Sequence, residues 1–179
     1  MNYDVSKLIS IIDEKNLSAI SIDGFCGSGK TYLANYLKKE IDCRIIRTDD
    51  FYPFTPQAKQ RALQNSVNID YDRFIKEISN IYGTVDYLSY SCKTGEFMRV
   101  TLPYKRLTII EGSYSHFLDL PYEVLKVYLD CPKEIRLNRL KERPNYNDFI
   151  TTWLPKEEEY QSRYDIKKNA DIVLEHIDN

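Results

Sequence analysis

Apolar positions recur along this chain with two different periods. Val5, Leu8, Ile9 and Ile12 fall at i, i+3, i+4 and i+7, the stripe of a short amphipathic helix. Leu17-Ser-Ala-Ile-Ser-Ile-Asp23 then predicts a buried strand. Leu33, Leu37 and Ile41 share one face of a second helix, and Cys43-Arg-Ile-Ile-Arg-Thr48 predicts a second strand. Tyr71, Phe74, Ile75 and Ile78 return to helical spacing. The stretch 84–100 is irregular and predicts short strands or a hairpin. Leu107-Thr-Ile-Ile110 and Val124-Leu-Lys-Val-Tyr-Leu129 are compact apolar runs of the kind found in central parallel strands. Pro132 suits the first position of a helix that Pro144 would end, and Asp171-Ile-Val-Leu174 predicts a last short strand. Strands alternating with helices predict an α/β fold with a mainly parallel sheet flanked by helices.

The chain has 179 residues, a normal length for one compact domain spanning 1–179 with a core that needs no disulfide or metal staple. No internal repeat, low-complexity tract or Gly/Pro/Ser linker divides it. Net charge is 25 − 27 = −2, so there is no general attraction for nucleic acid or an anionic membrane. Any phosphate binding must come from a local site. Cys26, Cys43, Cys92 and Cys131 are widely spaced, without a C-x-x-C pair or zinc-ligand pattern, and read as free thiols of a reducing cytosol. Residues 1–15 carry Asp4, Asp13 and Glu14 and do not read as a signal peptide or anchor; no apolar run is long enough to span a bilayer. The expectation is a cytoplasmic protein with neither membrane nor nucleic acid as partner.

Gly24-Phe-Cys-Gly-Ser-Gly-Lys-Thr31 matches G-x-x-x-x-G-K-[ST] in full and lies between a predicted strand and a predicted helix. Glycines let the backbone curl so that successive N–H groups, from Gly24 through Cys26, Gly27, Ser28 and Gly29, point inward at phosphate oxygens. The helix beginning near Lys30 adds its positive end. Lys30 can reach the β- and γ-phosphates, and the Thr31 hydroxyl can bind Mg²⁺. A chance glycine turn is the competing explanation, and the strand–loop–helix context argues against it. No N-K-x-D guanine-reading motif is present; Lys168-Asn-Ala-Asp171 has the wrong order. Small size favours a small-molecule kinase using Mg·ATP over a GTPase or motor.

Thr48-Asp49-Asp50-Phe51-Tyr52 follows the second predicted strand. In a doubly wound sheet the carboxyl end of a strand beside the P-loop strand faces the phosphate site. A carboxylate there could accept the proton of an attacking hydroxyl or help hold Mg²⁺. Taken alone, the pair would read as solvated loop acids. The order P-loop, D-D-F-Y, N-I-D-Y-D-R-F, I-I-E-G-S-Y-S-H, Arg-rich helix and A-D-I-V resembles the uridine kinase-like family of P-loop kinases, whose related branches include phosphoribulokinase and bacterial pantothenate kinase. The resemblance runs from about Ser18 to Leu174.

That resemblance implies roles for particular residues. Asp49 matches the family's catalytic aspartate, Asp50 ranks second, and Tyr52 lies beside them on the acceptor side. Glu111 matches the acid near Mg²⁺. Asp70 matches the aspartate that contacts acceptor hydroxyls, although Asp just before Tyr71, Phe74 and Ile75 is also a good helix N-cap. Arg136, Arg139 and Arg143 form an i, i+3, i+7 stripe where the family places its lid, here about 132–165. A solvated face paired with Glu134 and Glu142 is the bland alternative. His116 reads as a loop or acceptor-pocket residue, His176 as solvated, and Trp153, Pro155 and Tyr160 as packing.

Pyrimidine kinases of the family read the base with a Tyr and a His of a Y-D-F-x-x-H segment, where this chain has Val85 and Tyr90. The expected acceptor is therefore a nucleoside or similar hydroxylated metabolite, read poorly as a pyrimidine. A pantothenate-like or sugar-phosphate acceptor, or an ATP-binding regulatory module that transfers nothing, are the alternatives.

Overall fold

The computed structural model describes residues 3–91 and 94–177, so Cys92 lies outside the described residues. The strands are β1 (Ala19–Asp23), β2 (Cys43–Arg47), β3 (Val85–Ser91), β4 (Glu96–Leu102), β5 (Leu107–Glu111), β6 (Leu125–Asp130) and β7 (Ile172–Glu175). Five of them form one parallel sheet in the order β2-β5-β1-β6-β7. The other two, β3 and β4, pair antiparallel as a separate hairpin. The mainly parallel α/β architecture read from the sequence is what the chain adopts.

The helices are α1 (Ser6–Glu14), α2 (Lys30–Glu40), α3 (Pro56–Gln64), α4 (Tyr71–Glu77), α5 (Lys133–Lys141), the single turn α6 (Tyr146–Asp148) and α7 (Leu154–Arg163). They cover the sheet on two faces, and the two-residue period of the strands assigns side chains to each. Ile20 and Ile22 of β1, Ile109 of β5 and Val127 of β6 pack with Leu8, Ile12, Leu33 and Leu37 of α1 and α2. Ala19, Ile46, Ile110 and Tyr128 point the other way, against Phe51, Phe74, Ile78 and Tyr160. Each such aliphatic side chain, fully buried, stabilises the fold by roughly 1.5–3 kcal/mol. β1 and β5 are buried along their whole length, as expected for strands covered on both faces.

Strand order places the chemistry. β2, β5 and β1 are neighbours, so the segments leaving their carboxyl ends meet: Asp49 after β2, Glu111 at the end of β5, and the glycine loop after β1. The chain leaves β1 for β2 on one side and later crosses from β5 over β1 to β6, which opens a crevice at that end of the sheet.

Three local features differ from the sequence expectation. The helix α3 was not legible in the apolar pattern, because it buries only Ala58 and Ala62. Its start is nonetheless specified: the Thr55 side chain accepts the Ala58 N–H at 3.1 Å and Pro56 takes the first helical position. Pro132 is the residue before α5 instead of its first member, with extended ψ of 138°. Between α6 and α7 the chain widens into a π turn, Phe149–Trp153, a form often found at functional sites. Among the described residues no helix is long and apolar enough to cross a membrane.

Candidate active site

The loop after β1 has the curl its glycines permit. Gly24 has φ +142°, and a Cβ there would come within 2.8 Å of the Leu129 carbonyl oxygen. Gly27 has φ +80°, and a Cβ would meet the Arg136 carbonyl oxygen at 2.8 Å. Both positions therefore exclude a side chain on conformation and on space. Asp23, fully buried, fixes the start of the loop: its Oδ1 accepts the Gly24 N–H at 2.6 Å, and its Oδ2 accepts the Tyr160 hydroxyl at 2.8 Å and the His116 N–H at 3.0 Å.

Lys30 opens α2 and is buried. Its ammonium donates to the carbonyls of Gly24 at 2.6 Å and Phe25 at 3.0 Å. The Thr31 hydroxyl meets the Glu111 carboxylate, 3.1 and 3.2 Å from its two oxygens. The Arg47 Nε stands 3.3 Å from the same carboxylate. Burial pushes the Glu111 carboxyl above the usual carboxylate range; Lys30 opposes the rise and the Asp49 charge adds to it. Asp49 is open to cleft solvent yet enclosed by protein walls. Those walls push its carboxyl up as well, against Lys30 and with the help of the Asp50 charge. Cleft water tempers that push, and a ligand filling the cleft would strengthen it.

Asp50 faces elsewhere. Its oxygens accept the Tyr87 and Ser89 hydroxyls, each at 2.7 Å, so it clamps the β3–β4 hairpin to the turn after β2. Arg44, also buried, ties the chain before β3 to the sheet through the Thr108 hydroxyl at 3.0 Å and the Gly83 carbonyl at 2.7 Å.

A cleft of about 700 Å³ runs between these groups. It is lined by Cys26, Gly27, Ser28, Gly29, Lys30 and Thr31 on the loop side and by Asp49, Tyr52 and Glu111 from the strand ends. Arg139, Arg143, Phe149 and Trp153 line it from the segment 132–165. The donor set near Thr31 is one hydroxyl and two carboxylates, all oxygen. Together with its surplus of negative charge this suits Mg²⁺, which is typically held by one or two carboxylates plus substrate phosphates. Among the described residues no group of three or more His, Cys, Asp or Glu could hold a metal by itself.

Four predicted residues stand outside the lining. Gly24 has its N–H held by Asp23 and its carbonyl by Lys30. Asp70 caps α4, its Oδ1 accepting the Arg73 N–H at 3.3 Å, and Asn68 lines the cleft nearby. Tyr90 stacks behind Tyr52 with ring centroids 6.0 Å apart. Arg136 is buried, its guanidinium 4.3 Å over the Phe25 ring and its Nε donating to the Cys131 carbonyl at 3.0 Å. The arginine stripe is thus split: Arg136 buttresses the loop from behind, Arg139 donates to the Gly27 carbonyl at 3.0 Å, and Arg143 stands over the Phe149 ring at 5.2 Å. Among the described residues none of the three pairs with Glu134 or Glu142.

The histidines differ from expectation in part: His116 lies in the loop after β5, as one of its two readings had it, but outside the cleft lining. His116 is buried in a short turn, Ser115–Phe117, away from the cleft lining, because Asp23 holds its N–H. His176 is half-buried, 3.1 Å from Arg139 Nη2 and edge-on to Tyr3.

Two residues with clear parts in the site were missed in the sequence, Asp23 and Glu157. Glu157 is buried on α7 and accepts the Cys26 N–H at 2.7 Å. It sits inside the acidic run Glu157-Glu-Glu159, which reads as a solvated face. The usable signal was the three-residue spacing Leu154, Glu157, Tyr160, which is the buried face of α7.

Comparison with known proteins agrees with this fold. The family described as AAA domain matches residues 20–165. A possible uridine kinase from Bacillus stearothermophilus has a similar structure, with TM-score 0.61, 21% identity, and coverage of 96% of this chain and 100% of that one. A protein provisionally described as a fructose transport system kinase, from Silicibacter sp. TM1040, superposes with TM-score 0.57 at 17% identity over 93% of this chain and 97% of that one. At these identities the likeness establishes a shared fold. No curated protein matches the chain in sequence.

Proposed function

The chain belongs to the AAA-domain family of P-loop proteins, and from that premise we propose that it is a uridine kinase-like phosphotransferase, moving the γ-phosphoryl group of ATP to a hydroxyl of a small metabolite. The observation that carries the reading is the convergence of Lys30, Thr31, Glu111 and Asp49 on one cleft. The acceptor hydroxyl attacks the γ-phosphorus, its proton passes to Asp49, and the bond from phosphorus to the β–γ bridging oxygen breaks, leaving ADP. Lys30 has three donors and spends two on loop carbonyls, which leaves one for phosphate. Thr31 and Glu111 would hold Mg²⁺, which neutralises phosphate charge when bound. The segment 132–165 acts as the lid, and its closure excludes water from the transfer.

The acceptor arm is walled by Tyr52, Phe149 and Trp153, flat faces suited to a sugar ring or a base. Val85 is buried and has no side-chain donor, and Tyr90 lies behind Tyr52. Uridine and cytidine are therefore expected to be poor acceptors, with kcat/KM well below that of efficient pyrimidine kinases; efficient, selective uridine phosphorylation would show that other residues read the base. A sugar or sugar-phosphate acceptor is the second reading, favoured by the fructose-system neighbour. ATP consumption across a panel of nucleosides, sugars and pantothenate-like alcohols, with acceptor-free hydrolysis controls, tests the proposal. ATP binding without acceptor-dependent turnover across the panel would favour a regulatory module.

The lid arginines differ in what they hold, so their loss should differ too. Arg143→Ala is expected to lower kcat by roughly an order of magnitude or more while the melting temperature barely moves. Arg139→Ala should reduce both, because Arg139 also ties Gly27 and His176. A large fall in stability with unchanged kinetics in Arg143→Ala would assign that side chain to structure alone.

A further inference from the structure

One acidic side chain in the cleft is unused by the proposed transfer. Glu157 is 4% exposed, and both of its oxygens are engaged on the nucleotide side. Oε2 accepts the Cys26 N–H of the glycine loop at 2.7 Å, and Oε1 accepts the Ser113 hydroxyl. The Cys26 N–H belongs to the set that the loop's curl aims at phosphate oxygens. A carboxylate thus occupies an anion-binding donor of the cradle.

Ser113 lies two residues beyond Glu111, and its hydroxyl also approaches the Gly24 carbonyl at 3.5 Å. Glu157 therefore joins three walls of the cleft: the glycine loop, the loop after β5, and α7. Its end of the cradle is the one Lys30 serves, since the Cys26 N–H belongs to the same peptide unit as the Phe25 carbonyl, which accepts the Lys30 ammonium at 3.0 Å. Trp153 precedes Glu157 by four residues and lines the acceptor arm.

We infer that Glu157 is a latch for the terminal phosphate: it closes the cradle through Cys26 when no triphosphate is present, and γ-phosphoryl oxygens displace it. The inference rests on the cradle being the ATP phosphate site. Two anions cannot share one N–H, and repulsion between them is little screened at a carboxylate as buried as Glu157. Part of the triphosphate's binding energy therefore goes into moving Glu157. A diphosphate, lacking the γ group, leaves the latch in place. Displacement moves α7 and with it Trp153, so filling the γ position is coupled to the shape of the acceptor arm. Glu157 is in this sense a positioning residue that distinguishes ATP from ADP.

The test is calorimetric affinity for Mg·ATP and Mg·ADP, without acceptor, on the full chain, Glu157→Gln and Lys30→Ala. Glutamine can still accept the Cys26 N–H but carries no charge. Glu157→Gln is expected to bind ATP roughly tenfold tighter, with ADP changed much less. Fluorescence of Trp153, the one tryptophan in the sequence, should shift with ATP and not with ADP in the unmodified chain. ATP affinity unchanged or weakened in Glu157→Gln, or ATP and ADP tightened equally, overturns the latch. If Glu157→Gln folds poorly, Ser113→Ala removes one bond to the carboxylate and should also tighten ATP; an unchanged ATP affinity there overturns the latch as well. Should the unmodified chain bind neither nucleotide, the ATP-site reading fails and the latch falls with it. Nucleotide binding that weakens in Lys30→Ala keeps the ATP-site reading standing whatever Glu157→Gln does.

Discussion

Lys30→Ala is expected to lower phosphoryl transfer by roughly 10²- to 10³-fold, the scale of removing one preorganised donor from developing negative charge. Two further effects distinguish this from general damage. The Lys30 ammonium is the strongest influence holding down the carboxyls of Asp49 and Glu111, both already raised by their surroundings. Without it both should titrate at still higher pH, so activity that remains should be lost at a higher pH on acidification. The variant also frees the Gly24 and Phe25 carbonyls, and a modest fall in melting temperature should follow. Steady-state transfer, a pH profile and a thermal melt on one preparation check all three. Near-normal turnover in folded Lys30→Ala would remove the glycine loop from the active site.

The fold was legible where one physical signal dominated. Strands β1, β5 and β6 are nearly continuous apolar runs, because a parallel strand covered on both faces has little use for polar side chains. The glycine loop was legible because its backbone geometry excludes side chains at Gly24 and Gly27. Sheet order was not written in any local pattern, yet it is what brings Asp49 and Glu111 to the loop. The doubly wound topology pointed Asp49 toward the phosphate site, but only the resemblance to a kinase family, not periodicity, added Glu111.

What escaped reading depended on partners distant in sequence. Glu157 is polar by type and buried by contact; only folding, which brings the Cys26 N–H and the Ser113 hydroxyl to it, separates it from the solvated Glu158. Arg136 shares a stripe with Arg139 and Arg143, but a helix lying against the loop turns one arginine inward onto Phe25. Asp70 shows the reverse, since its local sequence specified a cap and the structure has one. Asp23 ends a strand, and its demand for hydrogen bonds is met by Gly24, His116 and Tyr160 from three parts of the chain.

The neighbouring acids Asp49 and Asp50 should respond very differently to the same change. Asp49→Asn keeps size and polarity but removes the site for the acceptor's proton, and its kcat should fall roughly 10²- to 10⁴-fold. ATP affinity and melting temperature should hardly change, because the side chain faces cleft solvent. Asp50→Asn acts on the hairpin clamp. An amide can accept from one of the Tyr87 and Ser89 hydroxyls and donate to the other, so the loss should be about 1 kcal/mol of stability with a small change in kcat. The pH profile separates the two further. A base must be deprotonated to act, and the Asp49 carboxyl is raised, so transfer by the unmodified chain should fail on acidification at a pH above that of an ordinary aspartate. Asp50→Asn should shift this limb downward, because it removes a negative charge that raises Asp49. Asp49→Asn should abolish the part of the limb due to Asp49 and leave that due to Glu111. A severe loss in Asp50→Asn with near-normal transfer in Asp49→Asn would move the proton acceptor one residue along the chain, where both carboxylate oxygens are already engaged by the hairpin.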